Sequence, residues 1–184
     1  MKGIVFTEFL ELVEEKFGLE VADRILEASE LPSGGVYTSV GTYDHNELVQ
    51  LVMQLSAVTD VALPDLLHTF GEYLFGRFVF AYPQFFEGVH SAFRFLMHIE
   101  NHIHIEVRKL YPEAELPRFE CYSPAPHCLE MTYHSPRPFT DFAEGLIHGC
   151  IKHFGECIRV ERADLPSESG TAARFVLTCV ERRA

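Results

Sequence analysis

Two groups of side chains in this sequence have the types and spacing to do chemistry. The first lies in FRFLMHIENHIHIEVRKLY, Phe93 to Tyr111, which contains neither Gly nor Pro and predicts one helix of about five turns. Wound at about 100° per residue, it places Phe93, Met97, Glu100, Val107, Arg108 and Tyr111 within about 60° of His104. His98 and His102 fall roughly 120–160° away, on the side that carries Glu106 and Lys109. Of these three histidines, only His104 points into a mainly apolar stripe. A neutral imidazole there can serve as an axial ligand to a haem iron, and it can equally be a core histidine satisfied by one hydrogen bond.

The second group is Tyr133-His134-Ser135-Pro136-Arg137, at the end of a predicted strand. Strand side chains alternate, so Tyr133, Ser135 and Arg137 share one face and His134 and Pro136 the other. A phenol, a hydroxyl and a guanidinium in a row form a comb of donors for carboxylates, with Arg able to bind one bidentately. A strand with one polar edge has the same pattern.

The elements that must position these groups follow from periodicity. Phe6, Phe9, Leu10, Val13 and Phe17 predict an amphipathic first helix stopped at Gly18. A shorter helix spans about Leu19 to Ala28, and residues 31 to 44 read as a Gly/Ser/Pro loop. Asp44-x-x-Glu47 has the form of a capping box opening a third helix through Leu48, Leu51, Val52 and Leu55. Pro64 suits the first position of a fourth, running through Leu66, Leu67, Phe70, Tyr73, Leu74 and Phe78 with Gly76 as a weak point. After the His104 helix, Arg118–Ser123, Cys128–Ser135, Cys157–Arg162 and Ala173–Val180 read as strands. Between the second and third lies a helix with Asp141-x-x-Glu144 as its cap pattern and Phe142, Leu146, Ile147, Ile151 and Phe154 as its apolar positions. Helices first, then a small sheet crossed by one helix, predict an α+β fold.

Composition narrows the function. The 184 residues include 16 Phe and 7 Tyr, enough ring surface to fill a large core or line a cavity for a flat apolar ligand. A net charge of −12 and the lack of any Lys/Arg run exclude a nucleic-acid surface and suit a basic protein partner. No apolar run approaches the ~18 residues of a membrane span, and MKGIVFTEF has no apolar segment of signal-peptide length. A soluble cytoplasmic protein is expected. Its five cysteines, Cys121, Cys128, Cys150, Cys157 and Cys179, are read as reduced thiols.

HIEVRKLYP from His104, then LPRF, then YHSPR, in this order and spacing, resembles the haem-nitric oxide/oxygen binding (H-NOX) domain. That family is related to the haem domain of soluble guanylate cyclase. The likeness extends to MKGIVF, VEEKFG, SGGVYTSVGTYDHNEL, FGEYLF and FAEGLIHG, collinear from Met1 to about Phe154. It implies one domain, 1–184, with a helical distal subdomain (1–63) over a proximal one (64–184) of helices and a four-stranded antiparallel sheet, haem between them. By this resemblance His104 ligates haem b iron, Tyr133, Ser135 and Arg137 hold the propionates, and Pro117 presses on the porphyrin. Val5 and Phe9 of the first helix approach the distal face. Family members that hold O₂ use a distal tyrosine on the helix after YxSxR; here that position is Phe142, and the accompanying polar positions are Phe9 and Leu66. With Phe70 and Leu146 the expected pocket is apolar, which implies binding of nitric oxide and carbon monoxide and discrimination against oxygen. The family mechanism is release of the proximal histidine by NO, read by a histidine kinase or a cyclic-di-GMP enzyme.

Other signals carry less. Cys150, His153 and Cys157 lie at i, i+3 and i+7 with His148 near, but they match the family's C-terminal Cys/His cluster poorly, so zinc is not expected. His45, His68, His90 and His127 lack ligand spacing and read as surface or cap residues. Glu100, one turn before His104, reads as a solvated edge first and as a polar support of His104 second. A peroxidase or NO dioxygenase would want polar distal groups, and a haem-free interaction module would not need the propionate comb.

Overall fold

Three- and four-residue apolar spacing in the first half of the chain, and alternation in much of the second, become helices and strands in the computed structural model, which describes residues 1–180. The chain forms α1 (Gly3–Phe17), α2 (Leu19–Glu27), α3 (His45–Thr59), α4 (Leu63–Ala81), α5 (Ala92–Met97) and α6 (His104–Leu110). There follow β1 (Arg118–Ala125), β2 (Cys128–Ser135), α7 (Thr140–Phe154), β3 (Ile158–Leu165) and β4 (Thr171–Cys179). The four strands make an antiparallel sheet in the order β1-β2-β4-β3, as an α+β fold requires.

Two apolar clusters organise these elements. One gathers Phe6, Phe9, Leu48, Leu51, Leu66, Phe70 and Leu74 from α1, α3 and α4. The other gathers Phe95, Leu129, Met131, Tyr133, Ile147, Phe175 and Leu177 from α5, the sheet and α7. Leu146 packs against both.

Helices α4 and α7 meet backbone to backbone. A Cβ added at Gly71 would stand 2.3 Å from the Phe142 carbonyl oxygen, and one at Gly145 would stand 2.1 Å from that of His68. A Cβ at Gly149 would reach within 2.6 Å of the Phe75 Cβ. These glycines are required by proximity, whereas Gly76 faces open space and α4 runs through it unbroken.

The expected single helix from Phe93 to Tyr111 is corrected. A π-helical turn, Ile99–Ile103, separates α5 from α6, with the Ile103 N–H donating to the carbonyl of His98. The extra residue per turn shifts every angle measured across it. Met97, placed by a uniform helix on the stripe of His104, is 43 % exposed, while His104 is 8 % exposed.

Two cap patterns are also taken over by tertiary partners. Asp44 caps α3 through the Asn46 N–H at 2.9 Å, but buried Glu47 turns to the Ser33 hydroxyl and to Tyr37 Oη at 2.9 Å. Burial, with the adjacent Glu47 carboxylate, pushes the Tyr37 phenol up to about 12. The loop over residues 31–44 is thereby pinned, with Tyr37 stacked on Phe6 at 4.6 Å. Asp141 and Glu144 likewise leave the end of α7 and accept from Arg162 of β3 at 2.6 and 3.0 Å.

The glycine contacts predict opposite outcomes for two alanine substitutions in thermal or urea unfolding. Gly145→Ala forces α4 and α7 apart and is expected to cost about 1–3 kcal/mol. Gly76→Ala meets no neighbour within a helix and is expected to add roughly 0.5–1 kcal/mol. An unchanged midpoint for Gly145→Ala would contradict the packing described.

Candidate functional site

His104 opens α6 directly after the π turn and is buried. Its Nδ1 lies 3.0 Å from Glu100 Oε2, which also accepts the Phe119 N–H of β1 at 3.2 Å. Arg108 Nη2 stands 3.5 Å from the other carboxylate oxygen. Burial by itself raises the Glu100 carboxyl, but the Phe119 N–H, the His104 ring and Arg108 outweigh it and hold it below the usual carboxylate range. Burial lowers the His104 imidazole, and the opposing pull of Glu100 does not reverse this, which favours the neutral ring.

These partners settle the tautomer. A carboxylate only accepts, so Nδ1 carries the proton and the ring's lone pair is on Nε2. Among the described residues no hydrogen bond uses Nε2. A buried neutral histidine with Nδ1–H on a carboxylate and a free Nε2 is arranged as a metal ligand. Glu100 is thus the partner of His104 rather than a solvated edge. Its place four residues before His104 on the same stripe was the signal for it.

The comb assembles as alternation requires. Tyr133, Ser135 and Arg137 are buried, while His134 and Pro136 are exposed. Ser135 Oγ accepts the Arg137 N–H at 3.1 Å, and Thr171 Oγ1 donates to the Arg137 carbonyl at 2.8 Å. The guanidinium grips Glu115, donating from Nη2 to the carboxylate at 2.5 Å and from Nη1 to the carbonyl at 3.1 Å. That carboxylate is 76 % exposed, so a group placed to take carboxylates holds one that can swing into solvent. Burial raises the Tyr133 phenol, against the Ser135 hydroxyl and the charge of Arg137. Phe119 links comb to histidine, with its ring 5.4 Å from Tyr133 and 6.1 Å from His104. Pro117 is half-buried between the contacts of Glu115 and Phe119.

Val5, Phe9, Leu66, Phe70, Phe142 and Leu146 belong to one apolar cluster. Phe70 stands 5.2 Å from Phe9 and 5.1 Å from Phe142, ring to ring. Tyr73 Oη is the one side-chain nitrogen or oxygen fully shielded from solvent and without a hydrogen-bond partner among the described residues. The charges acting on it are Glu15, Arg77, Glu8 and Glu11, which places it toward the acidic side of α1.

Of the other histidines, His68 departs most from a surface position. His45 is half-buried, edge-on to Phe139 at 6.2 Å, with its proton affinity lowered by burial and then by Arg137. His68 meets His148 of α7 at 2.8 Å instead of lying free on the surface. Cys150, His153 and Cys157 form no ligating group among the described residues; Cys150 is buried and His153 packs on Phe86 at 5.3 Å.

An imidazole with an uncommitted Nε2, a row of carboxylate-compatible donors and a set of apolar rings are residue types that fit a haem. The chain matches the Haem-NO-binding family over residues 2–162. It is similar to the Fe(II) unliganded H-NOX protein from K. algicida, at 44% identity and a TM-score of 0.92, with 100% of this chain and 99% of that one covered. It is also similar to the IWP-051-bound H-NOX from Shewanella woodyi in the Fe(II)CO state, at 43% identity and 0.85, covering 100% and 97%. An H-NOX protein from S. oneidensis in the Fe(II)NO state is 26% identical at 0.90, covering 98% and 100%. No curated protein matches the chain. From its buried histidine, its comb and its sequence over residues 2–162, the chain belongs to the Haem-NO-binding, or H-NOX, family of gas-sensing haem domains.

Proposed function

We propose that this chain is a nitric oxide sensor that holds haem b through His104 Nε2, discriminates against oxygen, and reports to another protein. The observation that carries this reading is the wholly apolar set of Phe9, Leu66, Phe70, Phe142 and Leu146, with Val5, in one cluster. Ferrous haem, when bound, would supply an iron that takes NO, CO or O₂, and His104 would hold that iron less firmly with NO present.

The residues have separable roles. Tyr133, Ser135 and Arg137 bind the propionates, with Arg137 exchanging Glu115 for one of them. Pro117 bears on the ring from the loop before β1. Bound O₂ develops negative charge on its outer atom and gains from a hydrogen-bond donor, whereas NO is nearly neutral and does not. Phe9, Leu66 and Phe142 offer no donor, and such a pocket also lacks the polar groups that peroxidase or NO dioxygenase chemistry needs. The protein is therefore a sensor and not an enzyme.

Signalling is a population shift between held and released His104. Because Glu100 ties the ring to the Phe119 N–H, movement of His104 is felt directly by β1. The proximal part, 64–184, shifts against the distal helices, 1–63. The reader is a histidine kinase or a cyclic-di-GMP enzyme in the cytoplasm. Among the described residues no helix is long and apolar enough to cross a membrane.

Two variants test the roles. The reduced wild-type protein is expected to show an absorption band shifted by NO and CO and unmoved by air, while Phe142→Tyr gains a stable oxygen complex. An oxygen complex in the wild type would contradict the apolar pocket. Glu100→Gln keeps a hydrogen bond but removes its charge, so the iron–imidazole stretch in resonance Raman should fall and NO should release His104 more readily. An unchanged stretch would remove Glu100 from this role.

A further inference from the structure

Helices α4 and α7 carry a second cluster of ligating side chains. His68 and Glu72, one turn apart, project from one side of α4, about 160° around the helix from Phe70. His148 projects from α7, about 160° from Leu146. The cluster therefore lies apart from the apolar pocket. His68 Nε2 and His148 Nδ1 are 2.8 Å apart, and His68 Nδ1 is 3.8 Å from Glu72 Oε1. All three residues are half-buried, and one ligand atom from each lies within 4.8 Å of the others.

The glycine contact produces this meeting. With the Gly145 backbone against the His68 carbonyl, two helices approach closely enough for imidazoles from both to touch. Burial and then the neighbouring His68 lower the proton affinity of His148, which favours a neutral, coordinating ring. Glu72 supplies a negative charge, and Glu144 adds to the negative potential at His148. The competing cation, Lys152, stands 4.0 Å from Glu72 and is 81 % exposed, so it can leave for solvent.

We propose that His68, Glu72 and His148 form a binding site for a borderline divalent cation, with zinc the best fit, tying α4 to α7. Two imidazoles and one carboxylate are a three-ligand zinc set that leaves one position for water. A tetrahedral site needs ligand atoms roughly 3.3 Å apart, given metal–ligand distances of about 2.0–2.1 Å. The His68 Nε2 and His148 Nδ1 atoms stand 2.8 Å apart and one ligand atom from each of the three residues lies within 4.8 Å of the others, so side-chain rotations that open the first spacing and draw Glu72 in complete the site. Zinc takes the place of the proton shared by the two rings, and its affinity falls as pH drops through the histidine range.

The test is equilibrium dialysis of the full chain, as purified, against micromolar zinc at pH 7.5, with metal per chain read by mass spectrometry. Wild type and Cys157→Ser/Cys179→Ser are expected to hold one zinc with equal affinity and to melt higher with zinc present. His68→Ala/His148→Ala should lose on the order of 100-fold in affinity and show no zinc-dependent rise. His148→Gln, which keeps the bulk, reads the same loss if the double alanine variant does not fold. Zinc that survives the histidine substitutions, or that disappears with the cysteines, would overturn the proposal, as would no binding at tens of micromolar.

Discussion

The hydrogen bond between His104 Nδ1 and Glu100 Oε2, 3.0 Å long, is the interaction on which the arrangement of this site depends. Without an acceptor-only partner on Nδ1, nothing would assign the lone pair to Nε2 or fix the plane of the ring. The same carboxylate takes the Phe119 N–H, so one side chain joins the segment around His104 to the first strand of the sheet. Phe119 then touches Tyr133, the first member of the comb. The histidine and the carboxylate-binding residues are thus placed by one connected set of contacts. The π turn belongs to the same arrangement, because it sets the angle at which His104 leaves its helix.

The second constraint is the close approach of α4 and α7. Gly71, Gly145 and Gly149 leave no room for side chains between the helices, and the apolar positions on either side are brought face to face. Phe70 from one helix and Phe142 from the other meet at 5.1 Å for this reason. His68 and His148 meet on the far side for the same reason. A single packing decision therefore builds both the apolar contact of Phe70 with Phe142 and the histidine cluster.

Much of this was legible in the sequence. The alternation of YHSPR placed Tyr133, Ser135 and Arg137 on one face, which the structure buries, and three- and four-residue spacing located α1, α3, α4 and α7. The apolar character of Phe9, Leu66, Phe70 and Phe142 needs only their identities, although their meeting does not follow from periodicity. Features set by tertiary contact were not legible. No Gly or Pro marks the π turn, so a uniform helix misplaced Met97. Glu47, Asp141 and Glu144 satisfy local capping patterns, but Ser33, Tyr37 and Arg162 offered stronger partners from elsewhere in the chain. His68 and His148 are 80 residues apart, and only the glycine contact makes them neighbours.

His104 as the iron ligand is tested most directly by the absorption spectrum of reduced His104→Gly protein. The predicted result is loss of the wild-type ferrous band, its recovery when free imidazole is added, and a renewed response to NO. A ferrous spectrum unchanged by the substitution would contradict the account, because the iron would then be held by another residue.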